Sequence, residues 1–193
     1  MEHDPVSDAV LNEGARHLLD AHPHVDVDPA HIAALLKTCA HRTLAAGEQL
    51  CSEGDPSDAL WFLLEGRIRV EKRDLHGNLR QIGSLDAPTV FGQMGIIDRA
   101  RRSAACTAEH TSMIAIMDRA TFRVQVRSLD DLGNALRRLL LSGLTHQMTQ
   151  GNARLRSLLG SPTGSATALP LGDDILHASG VLEGWASADG PGD

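Results

Sequence analysis

Between residues 42 and 117 the chain is cut into short apolar runs by closely spaced turn-forming residues, and few folds accept that pattern. The turn signals are Gly47-Glu48, Gly54-Asp55-Pro56, Glu65-Gly66 and His76-Gly77-Asn78. Glycine supplies positive φ, proline fixes φ, and Asp or Asn bonds its own backbone. Between the turns lie 49–53, 60–64, 67–72 and 79–85, and the runs 104–108 and 113–117 complete the series. Within 67–72, Ile68 and Val70 alternate with Arg67, Arg69 and Glu71, as in a strand with one wet face. Short strands at this spacing predict a β-sandwich or roll.

Helical patterns flank the strands. Residues 1–28 read as a His-rich, largely irregular leader with a weak helical pattern at Val10, Leu11, Ala15, Leu18 and Leu19. Pro29 marks a helix start, with Ile32, Leu35 and Leu36 as its apolar face. Asp118 is placed to cap a helix running through Phe122. After a break near Ser128, Leu129, Leu132, Leu136, Leu139, Leu140, Leu144 and Met148 recur at helical spacing, and Leu155, Leu158 and Leu159 extend the pattern. This stripe is richer than one roll face needs, which favours a two-fold dimer seam over packing on the chain's own roll. From Gly160 a linker signal, Ser161-Pro162-Thr163-Gly164-Ser165, opens a small, acidic, Gly-rich tail with an apolar island at Ile175, Leu176, Val181, Leu182 and Trp185. The expected organisation is a partly helical leader over 1–28, a β-roll over 29–127, a long helix over 128–159 and a flexible tail over 160–193. The fold class is α+β, mainly β.

Residues 91–104 carry the chemistry. Phe91-Gly92 ends an apolar segment, Gln93 to Ile97 can make one helical turn, and a basic cluster leads into a new strand at Arg102-Ser103. The opening turn offers backbone N–H groups that attract an anion. Gly92 and Gly95 allow close approach to the backbone, and Arg102 can fork two phosphate oxygens.

This run resembles the phosphate-binding cassette of the cyclic-nucleotide-binding domain, the β-roll (jelly roll) of the catabolite-activator family, kinase regulatory subunits and gated channels. Phe91, Gly92, Arg102, Ser103 and Ala104 match its pattern, and Gly47, Gly54-Asp55, Asp58 and Gly66 fall at its turn positions. Gln93 replaces the family's glutamate, which bonds the ribose 2′-hydroxyl, and Arg101 replaces its proline. The resemblance implies a ligand site of Phe91, Gly92, Gln93, Met94, Gly95, Arg102, Ser103 and Ala104, with base reading near Gln147, beside Thr145 and Thr149. It implies a cAMP or cGMP ligand, and Ser103 is the residue of cAMP-preferring relatives. It also implies action through the C-terminal helix on an unidentified protein partner.

Other classes fit less well. No Ser/His/Asp, paired-carboxylate or metal constellation is readable, so neither catalysis nor a bound metal is expected. His17, His22, His24 and His31 match no metal-ligand spacing. The net charge is −7, and five of the negative charges fall after Arg156 (Asp173, Asp174, Glu183, Asp189 and Asp193), leaving the body near neutral. The tail lacks the helix-turn-helix pattern of transcriptional relatives, so no specific DNA binding is expected. Cys39, Cys51 and Cys106 form no CxxC pair and read as reduced cytoplasmic thiols. No apolar run approaches the ~20 residues of a membrane helix. A degenerate roll serving only as a scaffold or dimerisation module is the alternative. A haem or redox sensor, suggested by Cys39-Ala40-His41, ranks third.

Overall fold

The computed structural model describes residues 6–158. Its elements are α1 (Asp8–Ala21), α2 (Pro29–Lys37), β1 (Ala40–Leu44), β2 (Gln49–Cys51), β3 (Ala59–Glu65), β4 (Arg67–Arg73), β5 (Leu79–Asp86), β6 (Thr89–Phe91), α3 (Gln93–Asp98), β7 (Ala105–Ala108), β8 (Ser112–Asp118), α4 (Arg119–Arg127) and α5 (Asp131–Leu158). The strands form two antiparallel four-stranded sheets, ordered β1-β8-β3-β6 and β2-β7-β4-β5. This is a β-roll flanked by helices.

β3 explains how the layers meet. Successive strand residues point to opposite faces, and both faces of β3 are covered. Leu60, Phe62 and Leu64 pack under the helices, while Trp61 and Leu63 pack between the sheets. A strand buried on both sides reads as an unbroken apolar run, here residues 60–64. β4 has one dry face: Ile68 and Val70 join the inter-sheet core.

The leader takes a larger part than its weak pattern suggested. α1 is fourteen residues long, and its N-cap Ser7 accepts a hydrogen bond from the Val10 N–H. Leu11, Ala15 and Leu18 join Ile32, Leu35 and Leu36 of α2 in the core beneath the helices. Gly14 diluted the helical signal. It faces β3, where an added Cβ would stand 3.4 Å from a Leu64 methyl carbon.

Part of the leucine stripe lies in the chain's own core, which narrows the residues left for a dimer seam. Leu136 and Leu139 have no solvent exposure and Leu140 has 5%; all three pack with α1, α2 and β3. These leucines fill the chain's own core. The outward apolar positions are Leu129, Leu141 and Met148. α5 opens with the Asp130 carboxylate accepting from the Gly133 N–H at 2.8 Å, and the Asp118 cap of α4 accepts from the Thr121 N–H at 2.7 Å. Leu159 and the acidic tail lie outside the described residues.

His22, in the turn after α1, is buried, and its Nδ1 lies 2.9 Å from the Ser142 hydroxyl on α5. Burial first, and neighbouring His146 second, hold its imidazole below the ordinary histidine range. The native state therefore resists a proton that the unfolded chain accepts, so stability falls as pH drops below the unfolded value of about 6.5. Urea melts at pH 7.5 and 5.5 should show this loss. His22→Asn, which keeps a polar group toward Ser142 but does not titrate, should flatten it.

Candidate functional site

A cavity of about 440 Å³ opens beside α3 and reaches into the inter-sheet core. Phe91, Gly92, Gln93, Met94, Gly95, Arg102, Ser103 and Ala104 all line it. Eight of the nine residues chosen from sequence are thus brought together. The ninth, Gln147, lies on α5, and its side chain is outside the described residues. Thr145 and Thr149 line a different cavity with His22 and His24, and their hydroxyls donate to the Leu141 and Thr145 carbonyls of their own helix, each at 2.9 Å.

Two glycines shape the mouth. Gly92 caps α3 at φ 81°, a conformation that L side chains rarely adopt. A Cβ there would lie 2.9 Å from the Trp61 ring and 2.7 Å from Arg102 Nη1. At Gly95 a Cβ would stand 2.1 Å from Ser57 Oγ. α3 therefore lies directly on the loop that leads into β3, with no side chain capping its first turn.

Arg102 is the charged centre. Its main chain is pinned to the 54–55 turn: its N–H donates to the Asp55 carbonyl and its carbonyl accepts from the Gly54 N–H, both at 2.8 Å. That pinning turns the side chain inward. The strand expected at Arg102-Ser103 consequently begins later, at Ala105, and Arg101 forms only an isolated bridge with Pro56. The guanidinium stacks on Trp61, 3.7 Å from the ring centroid. Nη2 donates to the Ala59 carbonyl at 2.6 Å and Nη1 to the Gly92 carbonyl at 3.2 Å, while Nε is buried without a partner. Burial chiefly lowers its pKa, yet a guanidinium stays cationic at neutral pH. Trp61 in turn meets Phe91, with centroids 5.2 Å apart.

Sequence reasoning missed Trp61, Ser57, Cys51 and Cys106, which also line the cavity. The alternation within residues 60–64 was the available signal for Trp61, since it shares its face with Leu63 rather than Phe62. Gln93 was named, but not its burial; it is 2% exposed. No group of three or more His, Cys, Asp or Glu residues among the described residues is placed to hold a metal. No helix among them is long and apolar enough to cross a membrane.

Residues 41–128 match the model of the cyclic nucleotide-binding domain family, and the fold of the described residues is that of such domains. The chain is 25% identical over 114 residues to a CRP-like cAMP-activated global transcriptional regulator of Mycobacterium tuberculosis, covering 59% of this chain and 51% of that protein. It spans about half the length of the curated relatives it matches. A solved cyclic nucleotide-binding domain from Methylobacillus flagellatus superposes with a TM-score of 0.71 at 24% identity, over 87% of this chain and 92% of that one. The Thermus thermophilus catabolite activator protein gives 0.59 at 22% identity, over 69% and 61%. That family is a regulatory one.

Proposed function

We propose that the chain is a non-catalytic sensor module that binds a cyclic nucleotide of the cAMP type in the 440 Å³ cavity. The observation that carries the reading is the convergence of residues 91–95 and 102–104 on one cavity around a buried arginine. Its volume lies within the range of ordinary ligand pockets, ~300–1,000 Å³. The cyclic phosphate meets Arg102 and the 92–95 turn, Gln93 accepts from the ribose hydroxyl, and Gln147 on α5 reads the base. Names of relatives such as the cAMP-activated regulator support the ligand class.

In this conformation Arg102 donates to two main-chain carbonyls. A phosphate that competes for the guanidinium would weaken its hold on the Gly92 carbonyl, which couples binding to the position of α3. A ligand that favours one of two arrangements shifts the population toward it. In the proposal α5 passes that shift to a protein partner, and exposed Leu141 and Met148 with half-buried Leu144 supply a seam to a second copy.

Melting the purified chain with and without cAMP and cGMP tests the reading. Gln93→Glu sharpens it. A hydrogen bond to a charged group is worth roughly 1.5–3 kcal/mol against about 1 for a neutral one, so a restored carboxylate tightens binding up to about tenfold. Position 93 is buried, so the unliganded variant should melt lower than wild type, because a charged carboxylate loses its hydration there. Calorimetry with no heat for either protein at millimolar nucleotide would leave the scaffold reading in first place. The internal bonds of Arg102 favour that second reading.

A further inference from the structure

We propose that Cys51 and Cys106 are a peroxide-oxidisable pair that closes to a reversible intramolecular disulfide at the floor of the cavity. The inference stands whether or not that cavity takes a nucleotide. The two residues are direct partners across the antiparallel β2–β7 pair, and a register shift between Gln49 and Cys51 sets the facing. Opposed residues in such a pair have Cα atoms about 4.5–5.5 Å apart, inside the ~4.4–6.8 Å span of disulfides. Both side chains belong to the inter-sheet core and both line the cavity, so a small oxidant has a path to them. The Cys51 thiol donates toward the Ala104 carbonyl at 3.8 Å, and the two thiols perturb each other's titration.

The surroundings select this pair. Neighbouring Cys106 first, and against the cost of burial the charge of Arg102, favour the thiolate of Cys51, and the thiolate is the nucleophile. Cys39 sits in the other core, beneath the helices, where burial pushes its thiol up to about 12. It is a spectator.

The chemistry balances with hydrogen peroxide as oxidant. The Cys51 thiolate attacks one peroxide oxygen, the O–O bond breaks, and hydroxide leaves to give a sulfenic acid. The Cys106 sulfur then attacks the Cys51 sulfur, the S–O bond breaks, and water leaves. Two thiols have lost two electrons in all, and one peroxide has become two waters. The new bond ties the strand that follows the 101–104 segment to the strand that feeds the 52–58 loop, and both flank Arg102.

The test uses the full folded chain, treated with one to a few equivalents of hydrogen peroxide, alkylated and digested without reductant. The expected product is a peptide containing Cys51 joined to one containing Cys106, two hydrogens lighter than the reduced pair, with Cys39 alkylated. Dithiothreitol should restore both thiols without unfolding. Cys39→Ser should form the link, and Cys51→Ser and Cys106→Ser should not. The proposal fails if the folded wild type keeps both thiols reduced, if Cys51 proceeds to sulfinic acid without a link, or if the link appears only in urea.

Discussion

Arg102→Ala should remove nearly all of the rise in melting temperature expected of the wild-type chain with cAMP. At a hundredfold excess over Kd, a ligand that binds only the folded state stabilises it by about 2.7 kcal/mol, or roughly 5–10 °C for a chain of this length. The phosphate of a bound nucleotide would lose its buried cationic partner. The substitution also leaves the Ala59 and Gly92 carbonyls without their donors and strips the cation from Trp61. The unliganded variant therefore melts lower as well, and the diagnostic quantity is the ligand-dependent shift, not the absolute temperature. Equal shifts in wild type and variant would place the nucleotide elsewhere on the chain.

Leu136→Glu and Leu141→Glu, five residues apart on α5, have opposite consequences. Leu136 is wholly buried, while Leu141 is 65% exposed. Losing a core leucine alone costs about 2–5 kcal/mol, and a carboxyl buried in its place adds to that. Domains are typically stable by only ~5–15 kcal/mol, so Leu136→Glu should unfold the chain or lower its melting temperature by more than about 10 °C. Leu141→Glu should leave the melting of the isolated fold nearly unchanged and, combined with Met148→Glu, weaken self-association. Light scattering and circular dichroism on the same samples separate the two. If Leu136→Glu gave a stable monomer, that leucine would lie in a seam between copies, not in the core.

The contrast shows where the sequence was readable. Turn residues and period-two alternation depend on local geometry, so β2 to β5, β7 and β8 could be placed to within a few residues, as could the α3 turn. The cavity residues 91–95 and 102–104 are close in sequence and share one local design, so they were legible as a set. What depended on distant pairing was not. An apolar stripe looks the same whether it meets its own roll or a second copy, and only the folded core decides for Leu136 and Leu139. Trp61 sits in an apolar run with two buried faces, where alternation alone does not say which face borders a cavity. Cys51 and Cys106 become neighbours through a shifted register, which no spacing rule within the chain announces.

The stacking of Arg102 on Trp61 has an optical consequence. The chain has two tryptophans, and the other, Trp185, lies in the tail. A cation 3.7 Å above an indole perturbs its excited state, so emission from Trp61 reports directly on where the guanidinium is. Whatever draws Arg102 off the ring changes that emission without any added label. A Trp185→Phe chain would thus be its own fluorimeter, reading the position of Arg102 in the cavity from the emission of Trp61.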